Sequence, residues 1–275
     1  MKPQQAIREL TKNIQTGRNL SSKWKIFEIC LLRYVEGRSP PRIEKYVHLF
    51  VDVLANGMLI ETDVRFLIRT LNDFFIFSSL WEEELQEALA FRRGMNFLDV
   101  GAHIGKYALR AALKVGKQGR VIAVEPDRDN FNLLLKNMEI NGLTNCIPLN
   151  LAAYYTDTKI NLYRGVTPAQ HSVKENFGRG SQMVQARALD NVLKEKGIEK
   201  LDLVKVDVEG AEYEVLKGLE KTLINKNPVL VIEIMKRDER KIIEYLEKLG
   251  YRRRLLHVFV PFRGGLMFYQ FEKAN

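Results

Sequence analysis

Cysteine is nearly absent. Cys30 and Cys146 are the only two in 275 residues, and they stand in apolar stretches far apart. That excludes a disulfide-stapled fold and a cysteine-based metal cluster, and it leaves two reduced core thiols as the expectation. Histidine is as sparse: His48, His103, His171 and His257 are scattered, so no Cys/His zinc set is assigned. Long apolar runs are missing too. The best candidate, YVHLFVDVLANGMLI, is broken by Asp52, Asn56 and Gly57, well short of the roughly 20 apolar residues a bilayer span needs. The opening MKPQQAIREL lacks the apolar centre of a signal peptide. A cytoplasmic protein with no membrane partner is expected. Internal repeats and low-complexity tracts are also absent.

What is present is an ordinary globular composition, 46% hydrophobic and 28% charged, with a formal net charge of +9. The positive balance admits an anionic partner such as RNA, and a solvated charged surface explains it equally well. The basic residues Arg8, Lys12, Arg18, Lys23 and Lys25 gather near the start, and YRRRLL lies near the end.

Two parts are expected along the chain. Residues 1–78 read as a mainly helical cap or substrate module. Trp24, Phe27, Cys30, Leu31 and Tyr34 fall at helical spacing before Gly37, and Pro40-Pro41 break the pattern. IEKYVHLFVDVL and ETDVRFLIRTLNDFF read as further helices, with a hairpin around Asn56-Gly57 as the alternative. Residues 79–275 form the second part. It opens with a helix, SSLWEEELQEALAFRRG, with a Ser79/Glu82 capping box and a stop at Gly94. Strands then alternate with helices: MNFLDV, GRVIAVE, NCIPLNLAA, LDLVKVDV and PVLVIEI are strands. GKYALRAALKVG, PDRDNFNLLLKNMEINGL, DNVLKEKG capped by Asp190, AEYEVLKGLEKTL and ERKIIEYLEKLG are helices. KINLY and QMVQARAL read as strands around a polar loop, and YRRRLLHVFV and GGLMFYQFE as two last strands. Such alternation implies an α/β fold with a mostly parallel sheet covered on both faces.

Ligands of such sheets lie at the carboxyl ends of the strands. The first end reads Asp99-Val100-Gly101-Ala102-His103-Ile104-Gly105. A dinucleotide loop has G-x-G-x-x-G; this one has G-x-x-x-G preceded by an acid. A carboxylate there repels a pyrophosphate and suits a ligand with a cationic end, such as the amino group of S-adenosylmethionine. A plain tight turn with no ligand fits as well. Glu125 closes the second strand, where a carboxylate accepts ribose hydroxyls, a need that NAD and S-adenosylmethionine share. NLAA, with Ala152, closes the third and offers a small apolar wall to an adenine ring. Asp207, Glu209 and Glu212 crowd the end of LDLVKVDVEGAE, where like charges repel unless a proton or a ligand intervenes.

Taken together, FLDVGAHIGKYAL, GRVIAVEPDRDNFNLLLKNMEINGL, ARALDNVL, LDLVKVDVEGAEYEVLKGLEKTL and PVLVIEI resemble the class I S-adenosylmethionine-dependent methyltransferases, and within them the FkbM family, over roughly residues 79–250. The resemblance implies a Rossmann-like seven-stranded sheet with its last strand antiparallel. It implies S-adenosylmethionine as cofactor and methyl transfer to a hydroxyl of a sugar, natural product or other small molecule. It places Asp99, Gly101, Ala102, His103 and Gly105 in the methionine-side loop, Glu125 on the ribose, and Asp207 and Glu209 near the methyl group and acceptor. It departs from the family at His103, where asparagine is usual. Asp207 or Glu209 is the expected base, ahead of His103 or His171. A metal held by Asp207, Glu209 and Glu233 is not required by the spacing and is not assigned. The rival readings are an RNA methyltransferase gripping its substrate with the basic front segment, a dehydrogenase, and a binding module without catalysis.

Overall fold

Short strands that are buried on both faces, separated by helices with one apolar side, can satisfy their backbones only by stacking side by side under a helical cover. That is the arrangement in the computed structural model, which describes residues 58–61, 63–70, 72, 73, 76, 83–259 and 265–274. The chain divides into two compact units, Met1–Trp81 with Glu139–Asn141, and Glu82–Met138 with Gly142–Asn275.

In the first unit, β1 (Met58–Glu61) and β2 (Arg65–Ile68) pair antiparallel, with Met58 opposite Ile68. A helix was the expectation for ETDVRFLIRTLNDFF, and its front is a strand instead. Val64, Phe66 and Ile68 are buried while Arg65 and Leu67 are half-buried, a period of two that the β-branched residues favour. The hairpin expected around Asn56-Gly57 lies outside the described residues. The helices expected before residue 58 lie outside the described residues, as do Ser79, Trp81 and Glu82.

The second unit opens with α1 (Glu83–Ala88), which ends six residues before Gly94; Leu85 and Leu89 are its buried anchors. The strands β3 (Asn96–Val100), β4 (Arg120–Val124), β5 (Cys146–Leu149), β9 (Leu203–Val206), β10 (Val229–Met235), β11 (Tyr251–Phe259) and β12 (Leu266–Lys273) form one sheet in the order β11-β12-β10-β9-β3-β4-β5. All neighbours from β10 to β5 are parallel; β12 runs antiparallel to both β10 and β11. The seven-stranded, mostly parallel, Rossmann-like sheet is therefore as expected. The covering helices are α2 (Lys106–Val115), α3 (Arg128–Ile140), α4 (Leu189–Glu195), α5 (Glu212–Gly218), α6 (Glu220–Lys226) and α7 (Glu239–Lys248). Leu98, Val100, Val204, Val206, Leu230 and Ile232 carry one face of the core, against Leu189, Val192, Val215, Leu216 and Ile242.

Three expectations are corrected. NCIPLNLAA is not one strand: β5 stops at Leu149, and β6 (Ala152–Ala153) joins β7 (Thr158–Tyr163) and β8 (Ser181–Arg187) in a separate sheet of order β6-β8-β7. Asn150 makes the break, donating from its side-chain amide to the carbonyls of Glu125 and Pro126. AEYEVLKGLEKTL is not one helix: it divides at Leu219 into α5 and α6. A Cβ at Gly218 would meet the Tyr154 carbonyl oxygen at 2.0 Å, so the end of α5 presses directly on that backbone. Asp190 does not cap its own helix. Its carboxylate accepts the backbone N–H groups of Lys221 and Thr222, at 2.9 Å each, and so caps α6. Among the described residues no helix is long and apolar enough to cross a membrane.

Candidate active site

The chain builds β3, β4 and β5 outward in one direction and then returns to lay β9 on the other side of β3. At such a reversal the loops leaving the two neighbouring strands part, and a crevice opens at their carboxyl ends. The loops leaving β3 and β9 are DVGAHIG and VEGAE.

The β3 loop is held by its own backbone. The N–H groups of Gly101 and Ala102 both donate to the Val124 carbonyl at 3.0 Å. Gly101 has φ +82, and a Cβ there would lie 1.8 Å from the Asp207 carbonyl oxygen. No other residue fits this approach. His103 takes a left-handed conformation, φ +52, which aims its N–H at Glu125 Oε2, 2.9 Å away. Gly105 begins α2, packed so closely on Leu109 and Leu134 that a Cβ would meet both side chains.

Glu125, just past β4, is buried. It accepts the N–H groups of His103 and Asp127 at 2.9 Å and the Asn130 side-chain amide at 3.3 Å. Burial pushes its carboxyl up to about 7, against the pull of those N–H groups. An ionised carboxylate offers about four lone-pair sites, so one remains for a further hydroxyl donor.

Asp99 and Asp207 meet across the β3–β9 boundary. Between them stands Lys205, a residue the sequence reading passed over. Its Nζ donates to Asp207 Oδ2 at 2.9 Å and lies 3.7 Å from Asp99 Oδ1. Asp99 is fully buried, and neither of its oxygens has a close hydrogen-bond partner; Lys205 and the Ala108 N–H are the donors that face it. Its carboxyl is pushed up to about 6, first by burial and further by Asp207, with Lys205 opposing. The signal for Lys205 was a single lysine inside LDLVKVDV: a lysine is almost never fully buried unless paired.

The acids after β9 separate in role. Glu212 turns back at the start of α5 and accepts the N–H of Gly210 at 2.9 Å; burial raises its carboxyl to about 7. It staples the loop. Glu209 has φ +56, and its carbonyl accepts the Ser172 hydroxyl at 2.7 Å. Ser172 belongs to the segment 164–180 between β7 and β8, which is tied to both sides of the strand ends. On one side the Pro168 carbonyl accepts from Asn130, and His171 Nε2 lies 3.7 Å from Asp127. On the other, Lys174 pairs with Glu214 and Glu175 with Arg237. Sequence reasoning missed this clasp because its partners are far apart in the chain. His171 has a structural partner: its Nδ1 accepts the Gly165 N–H. Ala152 lies in β6 opposite Ala186, off the third-strand tip where it was expected. Among the described residues no three His, Cys, Asp or Glu side chains gather to hold a metal.

These features fit S-adenosylmethionine. A buried carboxylate whose oxygens lack close hydrogen bonds accepts an ammonium, a backbone cradle without Cβ admits a close ligand, and Glu125 has capacity for a ribose hydroxyl.

A doubly wound sheet with a crevice at its switch point is the architecture of many nucleotide-cofactor enzymes. Residues 99–253 match the family model described as the Methyltransferase FkbM domain, and the chain belongs to that family. It is an S-adenosylmethionine-dependent methyltransferase. Similar proteins include Methyltransferase sdnD of Sordaria araneosa, 29% identical over 196 residues, covering 59% of this chain and 75% of that protein. The hexuronic acid methyltransferase AglP of Haloferax volcanii is 26% identical over 196 residues, covering 69% of this chain and 80% of that protein. The crystal structure of the methyltransferase FkbM from Methylobacillus flagellatus KT shares the fold. It has a TM-score of 0.50 and 18% identity, and covers 97% of this chain and 59% of that one.

Proposed function

We propose that this methyltransferase O-methylates a hydroxyl group of a sugar or related small molecule. In this reading Asp99, Gly101, Ala102, His103 and Gly105 form the methionine-side loop and Glu125 holds the ribose. Ala152 offers an adenine wall from β6, and Asp207 and Glu209 stand on the acceptor side.

The observation that carries the reading is Asp207. Its side chain is 27% exposed, whereas those of Lys205 and Asp99 are almost fully buried. It is the member of the cluster that an acceptor hydroxyl can reach. When bound, S-adenosylmethionine supplies an electrophilic methyl group on a sulfonium. The protein's work is to hold the acceptor oxygen in line at near-attack distance. Asp207 takes the hydroxyl proton as the new C–O bond forms, while Lys205 fixes its orientation through Oδ2. Ser172 holds the Glu209 backbone, and the clasp from 164 to 180 narrows the approach over the strand ends. The relative named a hexuronic acid methyltransferase supports a sugar acceptor.

An RNA acceptor is favoured by one observation: Arg252, Arg253 and Arg254 are exposed together on the edge strand β11. The test is to incubate the protein with methyl-labelled S-adenosylmethionine and two acceptor sets, sugars including hexuronic acids, and total RNA. Alkali-stable label in the sugar fraction is the expected result. Label confined to RNA and lost on ribonuclease treatment would overturn the small-molecule reading.

A further inference from the structure

Lys205 is chemically out of place in its strand. Leu203, Val204 and Val206 are buried apolar residues, and Lys205 is itself only 3% exposed. Taking an ammonium out of water carries a penalty of several kcal/mol that only close opposite charge offsets. The offset comes from Asp207, hydrogen-bonded at 2.9 Å, and from Asp99 at 3.7 Å. The Tyr107 ring adds its face, with the ring centroid 5.1 Å from Nζ. Two carboxylates and one ammonium sum to a single negative charge. Asp99 is fully buried and lacks a close hydrogen bond, and the Lys205 ammonium and the Ala108 N–H offset its burial only in part.

We propose that Lys205 is a positioning residue that keeps Asp99 and Asp207 charged side by side at the switch point. It leaves the cluster one positive charge short and thereby sets the pH range in which the cationic end of the methyl donor binds. The inference rests on the reading of Asp99 as part of the cofactor loop.

The groups around the cluster come from several neighbouring elements, β10 among them, where Glu233 follows Ile232, the register partner of Val206, and so stands beside Asp207. β3 gives Asp99, and β9 gives Lys205 with Asp207 at its tip. α2 gives Tyr107 and Lys106, whose Nζ lies 4.9 Å from the same ring centroid. β5 gives Cys146, whose thiol is pushed up to about 12 by burial and by Asp99. The start of α5 gives Glu212, whose carboxyl Asp207 pushes further up. Of these, Lys205 is the group whose charge opposes the upward shift of Asp99, which sits at about 6. Without Lys205, two adjacent carboxylates would share a proton through neutral pH.

The test is calorimetric binding of S-adenosylhomocysteine to the full chain between about pH 5 and pH 8, around the Asp99 titration. This probe carries the donor's amino-acid end and reads binding without turnover. Its own ionisation is common to all variants, so differences between them report the protein. In the unaltered protein, affinity should fall as pH drops through about 6. Lys205→Met should move that step upward by about one pH unit or more, with a loss of about tenfold or more at neutral pH. Asp99→Asn should abolish the part of the step near pH 6, leaving only what Glu125, at about 7, contributes. A Lys205→Met protein that binds more weakly at every pH with an unmoved step would overturn the inference while leaving Asp99 in the loop. An Asp99→Asn protein with unaltered affinity and profile would overturn the loop reading, and the inference with it. If Lys205→Met does not fold, the double variant Lys205→Met/Asp99→Asn decides. It should fold, with the buried Lys205 and Asp99 charges both gone, and bind without the step near pH 6. Failure to fold, or a retained step near pH 6, overturns the proposal.

Discussion

Gly101 is where the β3 and β9 loops come closest. The contact with the Asp207 backbone leaves no room for a methyl group, and φ +82 disfavours any side chain. Backbone cannot rotate away as a side chain can. Gly101→Ala should therefore push the two loops apart and lower S-adenosylmethionine affinity by about tenfold or more, ~1.4 kcal/mol. Equilibrium dialysis measures this, and unchanged affinity would show that the two loops need not touch. Asp99 and Glu125 were legible as strand-end acids because an apolar run that stops on a carboxylate is easily seen. Lys205 was not. In sequence it is one polar letter in a strand, and its meaning comes from Asp99, which only the fold brings to it. Glu212 was legible as an acid but not as a staple, since its partners are the backbone N–H groups of Val208 and Gly210. Ala152 was assigned to a strand that ends before it.

At the scale of elements, local pattern located most strands and helices of the second unit, and tertiary contacts set their ends. AEYEVLKGLEKTL has an unbroken helical pattern. Its division at Leu219 follows from the approach of Gly218 to Tyr154 and from Asp190 offering a carboxylate to the next N–H groups. The β2 strand was misread for the opposite reason: Val64, Phe66, Ile68 and their neighbours satisfy a helical and an alternating pattern alike, and pairing with β1 decided between them. Asp190→Ala removes the caps on Lys221 and Thr222 together with the hydrogen bond from the Thr222 hydroxyl. It should cost about 1–2 kcal/mol in urea unfolding. S-adenosylmethionine binding should be unaltered, because Asp190 stands outside the strand-end cluster. A loss of binding equal to that of Gly101→Ala would place α6 in the site.

At the scale of the whole molecule, three buried carboxyls among the described residues have raised pKa values at or beside the crevice: Asp99 at about 6, and Glu125 and Glu212 at about 7, against ordinary values of 3.8, 4.5 and 4.5. Folded, each holds its proton to higher pH than when unfolded. Their contribution to stability is complete below the unfolded values and is lost as pH rises through about 6 to 7. At neutral pH the protein thus keeps buried negative charge at a cost in stability, and such perturbed groups cluster at functional sites. The mostly parallel sheet that carries this site was readable from alternating strands and helices. The clasp over it was not, because a polar loop with two glycines shows nothing of what it will tie together.

The most direct measurement is thermal unfolding of the full chain from about pH 5 to about pH 8, with and without saturating S-adenosylmethionine. On the proposed reading the donor's cationic end meets ionised Asp99, so its stabilising shift should grow as pH rises through about 6, where Asp99 loses its proton. A donor that raises the melting temperature equally at every pH, or not at all, would contradict the assignment of the strand-end carboxylates to the cofactor.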